Sequence, residues 1–592
     1  MTVLARVRRD PGAALVVLAI LVVLALYGAT LSRGIVNYDD PLLYRDNWIV
    51  QSASWDSLHA IWFELHGPHR VTLSPEYLPV RDMSVMADFA IWGDAWGGFH
   101  GTNLVLYILA IAFWFFALVE LGIDRTIAGL ALLLWAVHPS HAESVAWLSE
   151  RKGLLGAMFA GACTLGYARF RAGRSIGWLV LAVITAVCAV WSKAHAAFAV
   201  AALVGFELVL SAKRASWRRS IAGLGAIAFA ACAAFLPVLY LATHANIVGT
   251  EVQAPAGRVE MVMGVLGFYM RMGFLAGKNA IAYPLSSHGP AVLDVIVGAF
   301  ALLGLVVLLM PTKRFDPPAE ARAGAAFWLF TWLPVSHVIL PLQMIYVADR
   351  YLLLPSLGLA LIIASTILGL PVNPRTKRLL AGVLVIAAAL RTLDAQANWR
   401  DNLALWDRAV TSDPDNGEAW SRYVESLDRA GATDAALAAL EEGLARSNAP
   451  RLVMRKANMQ LARGERGAGV ATMRAAAEAG EPIAMANLAL LLEEDGERAE
   501  ALEWARRADG IPSAHTHRVH GKIALAAGLP VEAITAFEDA HALEPTGENQ
   551  YNLALALIAS RRPNEALPLL MKCARVRQTA AACQAQLRNY KR

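Results

Sequence analysis

Apolar runs of bilayer-spanning length recur from the N-terminus to about residue 395, and then they stop. They fall near 13–31, 102–120, 126–140, 153–168, 176–192 and 195–210, and then near 221–242, 291–310, 324–341, 352–370 and 379–393. Runs of this kind are candidate transmembrane helices. Only 17% of the 592 residues are charged, where a soluble protein carries about 25%, and the deficit lies in the apolar part. The rest of the chain is charged and alanine-rich. The prediction is an all-α protein, with a polytopic membrane helix bundle of about eleven spans followed by a soluble helical module.

Basic clusters set the orientation. Arg6/Arg8/Arg9, Arg169/Arg171/Arg174, Lys213/Arg214/Arg218/Arg219, Lys313/Arg314 and Arg375/Lys377/Arg378 flank the runs, and cytoplasmic loops favour Lys and Arg. If all five are cytoplasmic, the crossings between successive clusters are even in number. That parity holds when 259–285 is a re-entrant or interfacial helix at the outer face. Its Arg258, Glu260, Arg271, Lys278 and the Tyr283-Pro284 break suit such a segment better than a lipid-facing span. The N-terminus is then cytoplasmic, and the 32–100, 138–152 and 343–351 loops and the C-terminal tail share the opposite side. The first run is long and lacks a small-residue cleavage site, so it reads as an uncleaved span rather than a signal peptide. The net charge of +5 is accounted for by topology and implies no nucleic-acid partner.

Five alanines, Ala436, Ala468, Ala501, Ala533 and Ala566, recur at 32- or 33-residue spacing. With Phe537, Ala540 and Pro545 around Ala533, and Trp420 at an early aromatic position, this is the pattern of tetratricopeptide repeats. The expected organisation is a membrane domain over 1–395 with a long first outer loop at 32–100, a linker at 396–412, and about five repeats over 413–592 forming an α-solenoid. A solenoid offers a concave face for extended peptide; a plain spacer is the alternative. Cys163, Cys188 and Cys232 lie in apolar runs and read as small buried hydrophobes. Cys573 and Cys583 can pair in an oxidising compartment.

The candidate chemistry begins at Asn37-Tyr38-Asp39-Asp40-Pro41. Ionisable pairs near hydrocarbon are costly and mark candidate sites. Two like charges this close push one pKa upward, which suits a general base. A solvated turn before Pro41 is the plain alternative. A second string runs His138-Pro139-Ser140-His141-Ala142-Glu143 to Arg151-Lys152. Its spacing matches no standard zinc motif, and a hydrogen-bonded polar cluster explains it as readily. No metal ligand is assigned, although a divalent metal stays open as a cofactor. Arg151 and Lys152 open a span, either to hold a phosphate or to snorkel. His100 stands at the head of the second span in Phe99-His100-Gly101-Thr102-Asn103. Arg350 enters the tenth span beside Asp349, and either that carboxylate or a lipid-linked phosphate neutralises it.

Taken together, these strings resemble the TMTC family of multispan O-mannosyltransferases of the GT-C class, which has bacterial relatives. The likeness is carried by Asn-Tyr-Asp-Asp-Pro, Phe-His-x-x-Asn, His-Pro-x-His-x-Glu-x-Val-Ala, Asp-Arg-Tyr-x-x-x-Pro-Ser, Asn398-Trp399 and the repeat tail. It implies a GT-C-like fold, a polyprenyl-phosphate-linked sugar donor, and transfer to Ser or Thr of an exported protein on the outer face. Asp39 or Asp40 is then the base; His100, His138, His141, Glu143, Arg151, Lys152 and Arg350 line the donor phosphate or brace the site. The family's Tyr-Arg-Pro appears as Tyr77-Leu78-Pro79 with Arg81 displaced, and Gly153 replaces an expected acid after Lys152. The alanine- and arginine-rich composition points to a bacterium, hence to the inner membrane with periplasmic repeats recruiting the acceptor. Three alternatives are a GT-C enzyme modifying an envelope lipid or glycan, a non-catalytic repeat scaffold, and a transporter.

Overall fold

The computed structural model describes residues 10–66, 68–74, 76–210, 217–244, 257–275, 277, 279–281, 283, 289–339, 346–511, 513–574 and 579–590. Arg6, Arg8, Arg9, Lys213, Arg214, Lys278 and Pro284, used above for topology, lie outside the described residues. Among those described, regular structure is helical throughout. The chain divides into two compact units, residues 1–65 with 73–413, and residues 66–72 with 414–592.

In the first unit a helix occupies each apolar run. We label α1 (Pro11–Tyr27), α2 (Trp96–Glu120), α3 (Arg125–Ala136), α4 (His141–Ala146), α5 (Arg151–Arg171), α6 (Gly177–Ser192), α7 (Ala196–Leu210) and α8 (Pro355–Gly369). Local chemistry sets the ends. Asp10 caps α1 by accepting from Ala13 N, with Pro11 supplying a preset φ at the first turn. The helix Ala319–Trp332 ends well before residue 341 and tightens into a 3-10 turn over Leu333–Val335, where Pro334 has no N–H to continue the α-helical ladder. Among the described residues, five helices are long and apolar enough to cross a membrane, Pro11–Ser32, Trp96–Glu120, Trp217–His244, Val292–Leu309 and Pro374–Ala397, and α3, α6, α7 and α8 are shorter apolar helices. Large apolar side chains such as Phe229, Phe300 and Ile386 are exposed on these helices, as expected where the outer solvent is lipid. The protein is a multi-pass membrane protein. Cys163 is buried as expected, whereas Cys232 is exposed on its helix.

Arg258–Gly273 is a helix. Its Arg271 is neutralised by Asp294 of Val292–Leu309, and Gly267 and Gly298 let the two backbones touch, since a Cβ on either would strike the other helix. The first loop is folded around its own core, which includes Tyr44, Ile49, Ile61, Val85 and Phe99. Trp48, Trp62 and Trp96 pack against that core, while Trp55 stays 78% exposed.

Among the described residues, the second unit contains five antiparallel helix pairs followed by Ala580–Tyr590. The pairs are Gly417–Arg429 with Thr433–Arg446, Pro450–Ala462 with Arg466–Glu478, Pro482–Glu494 with Arg498–Asp509, Ala514–Ala526 with Pro530–Leu543, and Gly547–Ala559 with Pro563–Cys573. Ala436, Ala501, Ala533 and Ala566 are buried where the helices of a pair touch. The structure corrects the register of the second repeat. Ala468 is exposed, and the contact position is Gly469, where a Cβ would lie 2.6 Å from Leu461 Cγ. Spacing alone did not separate the two, because a one-residue shift still gives intervals of 32 and 33. The turns within the pairs close on left-handed residues at Gly431, Gly464, Gly496 and Gly528, and at Arg561 (φ 58°) in the fifth. Cys573 and Cys583 form a disulfide.

Candidate active site

Asp39 and Asp40 are adjacent in sequence but differ in environment. Asp40 is 1% exposed and opens a wide helical turn over Pro41–Arg45. Its Oδ2 accepts from Val36 N at 3.0 Å, and its Oδ1 accepts from Ser149 N at 3.0 Å and Ser149 Oγ at 2.5 Å. Asp40 therefore ties the first loop to the link between α4 and α5. Burial pushes its carboxyl up to about 6, against the pull of these hydrogen bonds. Asp39 is only partly buried, and its carboxylate makes no hydrogen bond or ion pair with another described residue. Burial raises its pKa, while the nearby charges of Lys152 and Arg350 oppose that rise. A carboxylate that is lifted in pKa, accessible and unspent is suited to accepting a proton.

Glu143 of α4 and Arg350 face each other across the site, 207 residues apart in sequence. Glu143 Oε1 accepts from Arg350 Nη1 at 2.5 Å and Oε2 from Arg350 N at 2.8 Å, so one carboxylate fixes both the backbone and the head group of the arginine. Burial disfavours the guanidinium charge, but Glu143 more than offsets this and holds Arg350 well above its ordinary pKa. The guanidinium also lies over the rings of Trp147, at 5.6 Å, and Tyr351, at 5.2 Å. Trp147 stacks on Trp399 at 5.1 Å and meets Tyr38 at 5.1 Å. An aromatic wall thus stands beside the Asp39 loop. Asp349, expected as one partner of Arg350, instead accepts from Asn279 Nδ2 and Tyr283 OH, both at 2.6 Å. Burial pushes the Asp349 carboxyl up to about 8.

Lys152 pairs with Glu76 at 2.6 Å. Arg151 is directed elsewhere and is fully buried. It donates to Asp88 Oδ2 at 2.5 Å, Asn103 Oδ1 at 2.8 Å, Phe99 O at 3.0 Å and Ser84 O at 3.2 Å. Of the two roles expected for Arg151, phosphate contact and bracing, this arrangement is bracing. It joins α5, α2 and the first-loop helix Pro79–Trp92. Arg81 is held by Asp82 at 2.7 Å and Leu73 O at 3.0 Å.

The histidines are interior fixtures. His141 sits between Tyr107 OH at 2.6 Å and Ser356 Oγ at 2.8 Å, and burial holds its pKa well below the ordinary value, so the ring is neutral. His138 Nε2 meets Gly273 O at 3.3 Å, and its Nδ1 accepts from Ser140 N at 3.3 Å. Each ring nitrogen of the pair has its own protein partner. His100 Nε2 meets Gly34 O at 3.2 Å, pinning the start of the first loop. Among the described residues no group of three or more His, Cys, Asp or Glu is placed to hold a metal ion.

The structure thus brings Asp39, Asp40, Glu143, Lys152 and Arg350 together, and sets Arg151, His100, His138 and His141 behind them as braces. It also adds Glu76, and Lys193 on the link between α6 and α7, neither of them singled out from the sequence, and it gives contacts to Ser149 and Glu150, which stand in the His138–Lys152 string without an assigned role. Lys193 had a signal. A lysine between two apolar runs, on the hairpin that the parity of the basic clusters would place outside, runs against the positive-inside pattern.

No protein-family model matches the chain. The human protein O-mannosyl-transferase TMTC4 is 23% identical to it over 398 residues, covering 57% of this chain and 54% of the human protein. The chain spans about half the length of that curated relative. Among solved structures, the apo oligosaccharyltransferase of Archaeoglobus fulgidus overlays 70% of this chain and 59% of its own, at 14% identity and a TM-score of 0.40. YrrB, a tetratricopeptide-repeat protein with an unusual peptide-binding site, overlays 31% of this chain and 97% of its own, at 15% identity and a TM-score of 0.26. By sequence, the chain is similar to the TMTC-type protein O-mannosyltransferases, the same family that its Asp-Asp, His-Pro and Asp-Arg-Tyr strings resemble.

Proposed function

We propose that the protein is a membrane glycosyltransferase that moves a sugar from a polyprenyl-phosphate donor to a Ser or Thr hydroxyl of an exported protein. The observation that carries this reading is the unspent carboxylate of Asp39 within the field of Lys152 and Arg350. In the reaction, Asp39 takes the acceptor's hydroxyl proton while the oxygen attacks the anomeric carbon. The bond from that carbon to the phosphate oxygen breaks, and the lipid phosphate leaves with the electron pair. Fixed cations stabilise the charge that develops on the phosphate. Arg350, clamped by Glu143, gives a rigid contact, and Lys152, at the more open end, completes it. Asp40 acts as a positioning residue that sets the loop carrying Asp39.

The parity of the basic clusters supports chemistry on the outer face, and the alanine- and arginine-rich composition supports a bacterial inner membrane. The Cys573–Cys583 disulfide suits an oxidising compartment for the repeats, which would hold the acceptor near the membrane and raise its effective concentration. The test is cell-free transfer from a polyprenyl-phosphate hexose, radiolabelled in the sugar, to exported protein. Asp39→Asn lowers the rate by about 100-fold or more, the usual contribution of a general base. Transfer at the wild-type rate would remove Asp39 from the mechanism.

A further inference from the structure

Helices α5 and α6 form an antiparallel hairpin, so the residue that follows α6 returns to the side where α5 began. That residue is Lys193. It is buried and ion-paired with Glu150, which immediately precedes α5. The room for this pair is supplied by Gly153, where a Cβ would lie 2.6 Å from Glu150 Oε1 and 3.4 Å from Lys193 Nζ. The pair is incompletely satisfied. Glu150 is 0% exposed, and its Oε2 has no hydrogen-bond partner; Arg350 Nε lies 4.0 Å from that oxygen. Lys193 Nζ also lies 5.8 Å from the centre of the Tyr351 ring, and Arg350 lies over that same ring. Three cations, Lys152, Lys193 and Arg350, therefore converge, each held by its own glutamate.

An arrangement that served stability alone would do without such a pair, since a buried ion pair seldom beats apolar packing. An anion-binding site has a use for it. A glutamate keeps the lysine in place and desolvated while the site is empty, and gives up part of its hold when a phosphate arrives. We propose that Lys193 is a third cationic ligand for the phosphate of the lipid-linked donor, with Glu150 as its resident counter-ion. The assignment rests on the donor reading above, and it deepens that reading.

The test uses the full-length protein in phosphatidylcholine nanodiscs. The probes are a C55 polyprenyl monophosphate and the C55 polyprenol that lacks the phosphate, and the readout is the ratio of their affinities. Glu150→Gln removes the competing carboxylate and raises the preference for the phosphate. Adding Lys193→Met to that background lowers the preference by about tenfold or more, the value of one charge-assisted hydrogen bond. The double variant leaves neither charge of the pair buried, so it retains the fold. A purely structural pair gives a different pattern, in which Glu150→Gln weakens phosphate binding and the added Lys193→Met does nothing further; that result overturns the assignment. If the wild type prefers the phosphate and the double variant does so equally, Lys193 alone is excluded. If the wild type shows no preference for the phosphate, the donor reading falls, and the assignment falls with it.

Discussion

Replacing Asp40 by asparagine separates the structural role of this carboxylate from a catalytic one. The carboxyl is raised from its ordinary 3.8 to about 6, and each unit is worth about 1.4 kcal/mol. Because the folded pKa lies above the unfolded one, the unfolded state gives up its proton first. The stability contribution is therefore fully present below about pH 4 and is lost as pH rises through about 6, a change of about 3 kcal/mol. Asparagine does not ionise, so it escapes that loss. Its amide nitrogen, however, would replace the oxygen that accepts from Val36 N if its oxygen stays on Ser149. That leaves one buried donor unpaired, at about 1–3 kcal/mol. At about pH 3, below both pKa values, only the cost operates, and the variant melts below the wild type. At pH 7.5 the two effects offset each other to within about 2 kcal/mol. The assay is the apparent melting midpoint in detergent, by intrinsic fluorescence, at both pH values. A variant destabilised equally at both would refute a buried, raised Asp40.

Glu143→Gln leaves Arg350 buried without its anion and costs about 3–5 kcal/mol; adding Arg350→Met recovers most of the melting midpoint while transfer activity stays lost. In the repeats, Gly469→Val overpacks against Leu461 and lowers stability by about 1–3 kcal/mol, whereas Ala468→Val on the exposed face stays within about 1 kcal/mol of wild type by thermal or chemical denaturation. Arg561→Gly relieves a left-handed backbone that costs a non-glycine residue about 1–2 kcal/mol, and after the added entropy cost of glycine the repeats melt at a higher temperature, with a net gain of about 0.5–1 kcal/mol.

How much of this was legible in the sequence follows the range of the physics involved. Spanning helices and helical pairs arise from short-range periodicity, and both could be read from apolar runs and a repeating alanine. The repeat register slipped by one at Ala468, because glycine and alanine both pass as small residues and only packing against Leu461 tells them apart. The Asp39-Asp40 pair stood out for its setting. Its division of labour did not, since that depends on which carboxylate meets Ser149, more than a hundred positions away. Of the two partners the sequence offers Arg350, Asp349 or a lipid-linked phosphate, the neighbouring carboxylate is turned to Asn279 and Tyr283, and Glu143 takes its place. The spacing of His138, His141 and Glu143 suggests a polar cluster, and Arg151 reads as a phosphate contact, a snorkelling residue or a brace, but the donors and acceptors that occupy His141 and Arg151 come from α2, α8 and the first loop, which no local spacing encodes. Lys193 went unread because its meaning depends on a hairpin closing onto Glu150.

The most direct test of the account is comparative glycoproteomics of the exported fraction, wild type against Asp39→Asn at matched expression. The account predicts loss of a hexose mass from specific Ser or Thr peptides, with the proteins themselves unchanged in abundance. An identical glycoproteome in the two strains would contradict it.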